Sequence, residues 1–398
     1  MSGTAVRIFR STDTNSPSLT GQASSLLNIF DACLVNGVNI KTVSSITRVG
    51  QVATVSFATA HGYAADGLSV INLSGADQSE YNGDFSISNV LSLSFSITVT
   101  GSPATPATGT TISCKQAPLG WGKPFANSGD KGVYRSSEGA GTRMFLRVDD
   151  SNPQANSYCT ANLRGYETMT DVNTGVGLFP TVVQMTTGIF LNKSNTTDGL
   201  AYAQKWVLVG DGYEFLFFYN NFTSYNNIYR CFHFGDIASE MASDPYGCLI
   251  YGDNSASPTG AMESATVFWS FISGLTTVQI AHYMARGYAQ TGGSVNVGKL
   301  SDGNLAVTAV FGWGGMPYPA PHNNGLYIVP IYVGDPATIL RGTLKCIYNP
   351  LHTRPLGHGN IVSGLSNLPG RTLYAIATPY TTAPNCGETH VDITGPWR

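Results

Sequence analysis

The sequence predicts a mainly β protein, with a β-sandwich or barrel-like body, one N-terminal helix and an inserted small β domain. Short runs in which apolar and polar residues alternate recur along the chain, as they do in half-buried strands. The 45 glycines and 20 prolines among 398 residues supply the turns between these runs. Apolar residues make up 42% of the chain, which is enough for a buried core and argues against disorder.

A single helix is predicted near the start of the chain. The apolar residues that recur at helical spacing are Leu26, Leu27, Phe30, Cys33 and Leu34. Ser18 or Thr20 is expected to cap the helix, because a hydroxyl oxygen accepts a hydrogen bond from a free backbone amide. Asn36 and Gly37 tolerate left-handed backbone, so the helix is expected to end there. We assign residues 1–37, including this helix, to the main body.

A small all-β module is predicted over residues 38–118. One run in it alternates strictly between apolar and polar positions. The apolar positions of that run are Leu93, Phe95, Ile97 and Val99. Gly50 and Gln51 separate two runs rich in Val and Thr and predict a hairpin turn. Residues 101–106 have the composition of a loop. We expect this module to fold independently of the rest of the chain.

The remaining residues, 119–398, are predicted to form the main β-rich body, as one or two subdomains. Gly210, Asp211 and Gly212 join two apolar runs and predict a hairpin. Further strands are predicted at residues 228–234, 266–272, 305–311, 326–333 and 371–378. Short strands separated by Gly and Pro are typical of sandwiches and barrels.

Charged residues are few and nearly balanced, and this excludes several classes of protein. Lys and Arg number 21 against 24 Asp and Glu, so the net charge is −3. No basic patch is visible, and no nucleic-acid partner is expected. No apolar stretch approaches the roughly 18 to 20 residues that span a bilayer, so membrane insertion is not expected. The first four residues, MSGT, begin no secretion signal, which indicates a protein made in the cytoplasm.

The sequence shows no motif for a cofactor or a metal. Seven cysteines without a Cys-x-x-Cys pair predict reduced thiols in the core rather than a zinc or disulfide framework. Neither a P-loop nor a strand-linked G-x-G-x-x-G is present. No G-x-S-x-G nucleophile motif occurs either. His352 and His358 lie in one Pro/Gly loop, but no third ligand keeps a recognised spacing to them. No cofactor and no metal are therefore expected.

Four acidic residues form the strongest case for an enzyme. They are Asp149, Asp150, Glu167 and Asp171. A glycoside hydrolase needs two carboxylates across a cleft, but paired aspartates at a strand end are also ordinary turn chemistry. We predict the second role, in which Asp149 and Asp150 end a strand and accept hydrogen bonds from turn amides. Arg147 and Arg164 are the expected ion-pair partners of these aspartates or of Glu167. The protein is accordingly predicted not to be an enzyme.

Two aromatic residues in a loop rich in Gly and Pro are candidate contacts with a glycan or a partner protein. They are Trp313 and Tyr318, within the string WGGMPYP at residues 313–319. Flat aromatic rings bind sugars, and Trp and Tyr are also enriched at protein interfaces. Composition leaves both uses open.

Five strings of residues carry a family resemblance. They are DACLVNG (31–37), GWGKPF (120–125), FLRVDD (145–150), RGYETM (164–169) and GVGLFPT (175–181). Together they resemble a family of virion proteins of tailed bacteriophages, and residues 341–342 and 350–352 match more loosely. The resemblance implies a product of the structural, tail-side gene block. No catalytic residues are defined for that family, so it implies none here.

The segment between the first two strings has a resemblance of its own. The strings that carry this resemblance are HGY (61–63), SGA (74–76), YNGDF (81–85) and PATG (106–109). They resemble the first catalytic cysteine half-domain of ubiquitin-activating enzymes, a small β module. That module has no active site of its own, so the resemblance implies neither ubiquitin chemistry nor ATP use. Cys114 is accordingly expected to be structural.

These resemblances imply a non-enzymatic structural subunit of a bacteriophage virion, associated with the tail or baseplate and assembled in the cytoplasm of the bacterial host. The expected partners are other phage structural proteins and further copies of the chain in a homo-oligomer. One alternative is a receptor- or glycan-binding tail protein, whose partner is a host surface glycan or receptor. A further alternative is a head decoration or collar protein. The low charge favours an assembling subunit.

Overall fold

The computed structural model describes residues 5–127, 129–151, 158–195, 200–220, 229–254, 280–299, 317–337, 339–352, 356–382 and 385–398. Strands dominate these residues, and the strand pairings among them are antiparallel. The strands form sheets of 13, 7, 4 and 3 members. The predicted mainly β class, with one helix near the start, is confirmed. No helix in the described part of the chain is long and apolar enough to cross a bilayer.

The N-terminal helix follows strand β1 (Arg7–Arg10). It runs as α1 (Ser25–Phe30) and continues as a π-helical segment (Asp31–Asn36). All five apolar residues that predicted it are buried. It ends as predicted at Gly37, whose φ of 85° lies in the region that favours glycine.

The predicted N-terminal caps of this helix, Ser18 and Thr20, are wrong. Ser24 has a left-handed φ of 65°, so the helix begins only after it. The amide of Leu26 donates instead to Oδ2 of Asp150, 2.9 Å away. The acceptor is distant in sequence, and a local pattern of hydroxyl residues therefore does not reveal it.

Residues 38–116 form two small sheets. The strands are β2 (Val38–Thr42), β3 (Ser45–Val49), β4 (Val52–Ser56), β5 (Val70–Ser74), β6 (Gly83–Ser86), β7 (Ser94–Thr98) and β8 (Ser113–Gln116), with a 3-10 turn at Ser79–Tyr81. The sheet orders are β2-β8-β5-β6 and β3-β4-β7. These sheets enclose a hydrophobic cluster of their own, which includes Ile46, Phe95 and Cys114. The predicted hairpin at Gly50 is present between β3 and β4.

The body contains the remaining strands. In chain order they are β9 (Gly122–Ala126), β10 (Lys131–Arg135), β11 (Phe145–Asp149), β12 (Tyr158–Met169), β13 (Gly175–Phe179), β14 (Ile189–Asn195), β15 (Trp206–Gly210), β16 (Glu214–Tyr219), β17 (Arg230–Asp236), β18 (Ala238–Ser239), β19 (Cys248–Asp253), β20 (Ile280–Met284), β21 (Val295–Asn296), β22 (Gly298–Lys299), β23 (Ile328–Gly334), β24 (Leu340–Pro350), β25 (Ile361–Ser363), β26 (Thr372–Thr382) and β27 (Asn385–Asp392). The predicted hairpin at residues 210–212 joins β15 to β16. The strands predicted at 228–234, 326–333 and 371–378 correspond to β17, β23 and β26. Those at 266–272 and 305–311 lie outside the described residues.

The described strands of the body form two sheets. The larger has the order β1-β15-β16-β17-β19-β14-β12-β11-β10-β9, with β13 beside β12, β20 beside β19 and β21 beside β20. The smaller has the order β22-β23-β24-β27-β26-β25, with β18 beside β24. Strand β1 brings the N-terminal segment into the larger sheet by pairing with β15.

Two hydrophobic cores cover the two faces of the larger sheet. Phe217 on β16 faces the core around Phe30 of the helix. Its neighbour Leu216 faces the other core, to which the smaller sheet contributes residues such as Ile376. Successive residues of a strand point to opposite faces, so β16 is buried along its whole length. The body is thus a sandwich of two sheets, with the helix on the far face of the larger one.

Candidate functional site

Tyr318 lies at the surface beside a group of aromatic rings. The residue is 37% exposed, and its ring meets the imidazole of His352 edge-on at 5.5 Å. The ring centroid of Tyr327 lies 5.9 Å from that of His352, and the ring of His322 stacks on Tyr327 with a centroid distance of 5.8 Å. An exposed aromatic ring beside polar groups suits contact with a sugar or a partner protein. The other candidate contact, Trp313, lies outside the described residues.

The two loop histidines contact backbone groups or an aromatic ring of the protein. His352 is held between two backbone groups: its Nδ1 donates to the carbonyl of Pro317 at 2.9 Å, and its Nε2 accepts the amide of Tyr327 at 2.8 Å. His358 stacks on the ring of Tyr229 at 4.4 Å. Both nitrogens of His352 are therefore occupied, and this residue fixes the segment that carries Tyr318.

Asp149 behaves as the sequence predicts. It is the last residue of β11, and its carboxylate accepts the amide of Ser151 at 3.3 Å. Arg147 donates to the same carboxylate at 3.0 Å, and Lys131 lies 3.5 Å from it. Burial alone would raise the pKa of Asp149, but a hydrogen bond from the Ser151 hydroxyl and the charges of Arg147 and Lys131 hold it below its ordinary value.

Asp150 differs from the prediction. It is completely buried, and it pairs with the ammonium group of Lys193 on β14 rather than with turn amides or an arginine. Its other oxygen accepts the amide of Leu26, the contact that begins the helix. Burial raises the pKa of Asp150 and lowers the pKa of Lys193, while each charge opposes the shift of the other. Asp150 therefore joins three separate parts of the body.

The partners of Glu167 and Arg164 also differ from expectation. Glu167 forms a bidentate ion pair with Arg286, in which Nε donates to Oε1 at 2.8 Å and Nη2 donates to Oε2 at 2.9 Å. Arg164 instead donates to the carbonyls of Met185 and Thr186, so its predicted ion pair is wrong. Asp171 accepts the amides of Asn173 and Thr174 in a turn, and these hydrogen bonds lower its pKa. Each of the four acidic residues thus has hydrogen-bond or ion-pair partners that hold the fold together.

A cluster that the sequence did not predict lies between the two sheets. Nε2 of His233 is 2.9 Å from Oε2 of Glu214, and the thiol of Cys346 donates to the same oxygen at 3.6 Å. One potential ligand atom from each of the three residues lies within 4.8 Å of the other two. All three residues are buried. Nδ1 of His233 has no hydrogen-bond partner within the described part of the chain.

Local geometry explains how the three side chains meet. Glu214 on β16 pairs with Gly235 on β17, and His233 is two residues before that glycine on the same strand. Gly235 has a φ of 139°, and a Cβ there would come within 2.4 Å of the Cα of Glu214. The missing side chain leaves room for the diagonal contact between Glu214 and His233. Cys346 reaches the pair from β24 of the smaller sheet.

Further charges surround the cluster. The guanidinium of Arg398 donates to Oε1 of Glu214 at 3.1 Å, and its side chain is 21% exposed. Asp211 is buried, accepts the amide of Glu214 at 2.9 Å, and has one oxygen, Oδ2, without a partner among the described residues. Burial and the charge of Glu214 raise the pKa of Asp211 to about 7. Burial, followed by the charge of Glu214, raises the pKa of the Cys346 thiol.

The sequence offered only a weak signal for this cluster. Glu214 follows a predicted hairpin turn, and His233 lies in a predicted strand, but Cys346 is more than a hundred residues away in another sheet. A spacing rule for metal ligands works within one loop or hairpin. It does not detect ligands that sheet packing alone brings together.

The sequence was compared with protein-family models and with curated proteins, and neither comparison found a match. The resemblance to phage virion proteins therefore rests on the quoted strings.

Proposed function

We propose that the protein is a non-enzymatic structural subunit of a bacteriophage virion, associated with the tail or baseplate, that works through contacts with other subunits. The observation that carries the proposal is where the family-like strings lie in the fold. The strings form the end of the helix and strands β9, β11, β12 and β13, which belong to one half of the larger sheet. The resemblance therefore concerns one continuous part of the body.

The contact between the segments that carry the first two strings also supports the proposal. The amides of Leu119 and Trp121 donate to the carbonyls of Cys33 and Leu34, both at 2.9 Å. The helix end and the start of β9 thus contact each other directly, although residues 38–118 separate them in sequence. This is the geometry expected of a module inserted into a shorter ancestral body.

Exposed apolar side chains support a role in assembly. Val176 lies on β13, which pairs only with β12 among the described strands, and Val182 and Val183 follow that strand. Val183 is 98% exposed. Apolar residues at a free strand edge favour contact with another protein chain. We infer that this edge contributes to a homo-oligomeric or partner interface in the virion.

The test is the composition of purified virions of the phage that encodes the chain. Quantitative mass spectrometry should detect the protein at several copies per particle, and cryo-electron microscopy should locate its density on the tail or baseplate. Density on the capsid or at the neck would favour the head decoration or collar alternative. If the protein is absent from purified particles, the proposal is wrong.

The exposed ring of Tyr318 favours a second candidate function, receptor or glycan binding. Binding of the purified protein to host cells and to a glycan array would reveal that activity. Tyr318→Ala should then weaken binding at least tenfold, because truncating an aromatic anchor costs about 2 kcal/mol or more and each step of about 1.4 kcal/mol is tenfold. Tyr202→Ala, at another exposed tyrosine, is the matched control and should bind like the wild type.

A further inference from the structure

We propose that Glu214, His233 and Cys346 form a buried binding site for a divalent transition-metal ion with the preferences of zinc. The three side chains offer a carboxylate oxygen, an imidazole nitrogen and a thiolate sulfur, which is a donor set typical of zinc. They come from β16, β17 and β24, and therefore from both sheets of the body. A bound ion would connect the two sheets.

The distances fit such an ion. Zinc bonds of about 2.0 to 2.3 Å in tetrahedral geometry place ligand atoms about 3.3 to 3.7 Å apart. Here His233 and Glu214 are separated by 2.9 Å and Glu214 and Cys346 by 3.6 Å, with all three ligand atoms within 4.8 Å of one another. Side-chain adjustments of about 1 Å therefore suffice, and water is expected to complete the coordination.

The local charge favours a cation. Three carboxylates, those of Asp211, Glu214 and Asp236, lie buried in this region. Arg398 interacts with all three, and His233 adds a second positive charge when it is protonated. Negative charge exceeds positive charge in a region of low dielectric, which is costly unless protons or a cation compensate. The unpartnered Oδ2 of Asp211 is a second sign that the described side chains leave this region incompletely satisfied.

Binding exchanges protons for metal bonds without a change of oxidation state. The Cys346 thiol loses its proton to solvent and its hydrogen bond to Glu214, and the sulfur binds the ion as a thiolate. His233 binds through a neutral ring nitrogen, and Glu214 binds through a carboxylate oxygen. Arg398 donates to Glu214 and is partly exposed, so its side chain links the buried cluster to the surface.

The experiment measures metal content and the spectrum of the bound ion in the full-length protein. The chain is refolded with Zn²⁺ or Co²⁺ and freed of excess metal, and its metal content is measured by elemental mass spectrometry. We expect about one ion per chain, as for a structural site. The Co²⁺ form should show a thiolate-to-metal charge-transfer band and the visible bands of a tetrahedral ion. This spectrum tests the proposal on the wild-type protein, without any substitution.

Variants identify the ligands. Cys346→Ser and His233→Gln should each lose the charge-transfer band or lower metal affinity at least tenfold. Cys114→Ser, at a buried cysteine in the separate core of residues 38–116, should leave the metal content unchanged. The proposal is wrong if chains refolded with Zn²⁺ or Co²⁺ contain no bound metal, or if they bind it equally well after Cys346→Ser. Virion incorporation does not enter either readout, so the failure of this proposal and that of the structural function can be told apart.

Discussion

Asp150 and Lys193 form an ion pair in which both side chains are 0% exposed. Asp150 also accepts the amide of Leu26 at 2.9 Å, and Lys193 donates to the carbonyl of Gln22 at 2.7 Å. The pair therefore connects the start of the helix to β14 and to the end of β11. Each partner satisfies a charge that would otherwise be buried alone.

The first prediction compares the two neighbouring aspartates. Asp150→Asn should reduce the free energy of unfolding by about 3–5 kcal/mol, because it leaves the Lys193 charge buried and unpaired. Asp149→Asn is the matched control and should cost less than about 1 kcal/mol, since exposed or partly exposed pairs contribute little. Urea denaturation followed by tryptophan fluorescence measures both. Equal effects at the two positions would contradict the assignment.

The contrast between these two residues shows how far sequence reasoning reaches. The alternation of residues 143–149 predicts a strand, and the strand end explains Asp149 and its pairing with Arg147. Asp150 has the same local signals, yet its carboxylate turns inward. Its environment depends on Lys193 and on the helix, which are close only in the folded chain. Local patterns determine strands and turns, whereas sheet packing determines which charges are buried.

The buried cluster illustrates the same limit. Glu214 and His233 belong to strands that the sequence predicts, and their diagonal contact follows from the pairing of β16 with β17. Cys346 joins them only because the smaller sheet packs on the larger one. Alternating residues and turn residues predicted where strands occur, but they did not predict which two sheets pack face to face.

The second prediction concerns acid stability. Burial lowers the pKa of His282 to about 4 from an ordinary value of 6.5, although hydrogen bonds to Asn296 and Val297 oppose the shift. The unfolded chain therefore binds a proton at a higher pH than the folded chain does. The contribution of His282 to stability is complete above pH 6.5 and is lost as the pH falls towards 4. The loss should approach about 3 kcal/mol.

The measurement is the free energy of unfolding between these pH values for the wild type and for His282→Gln. The variant should show a shallower decline over this range, because glutamine does not titrate. His322→Gln, at an exposed histidine, should retain the decline of the wild type. A parallel decline in His282→Gln would show that other groups cause the acid sensitivity.

The third prediction is that residues 38–118 fold on their own. Their two sheets share a hydrophobic cluster, and the first and last strands, β2 and β8, pair with Val38 opposite Gln116. The two ends of the segment therefore leave the module side by side. The isolated segment should show a cooperative thermal transition by circular dichroism. A broad, non-cooperative change would instead mean that contacts with the body, such as the 2.6 Å ion pair of Arg7 with Asp84, are needed for folding.

The last prediction concerns the centre of the helix-side core. Phe30 is completely buried and packs its ring against four others. The centroid distances are 5.8 Å to Tyr134, 5.3 Å to Phe215, 5.5 Å to Phe217 and 6.5 Å to Phe232. Phe30→Ala should reduce the free energy of unfolding by about 3–5 kcal/mol, because it removes apolar contacts and leaves a cavity between the helix and the larger sheet. Val183→Ala, at a residue that is 98% exposed, should change it by less than about 0.5 kcal/mol. A small loss in Phe30→Ala would mean that the helix contributes little to the stability of the body.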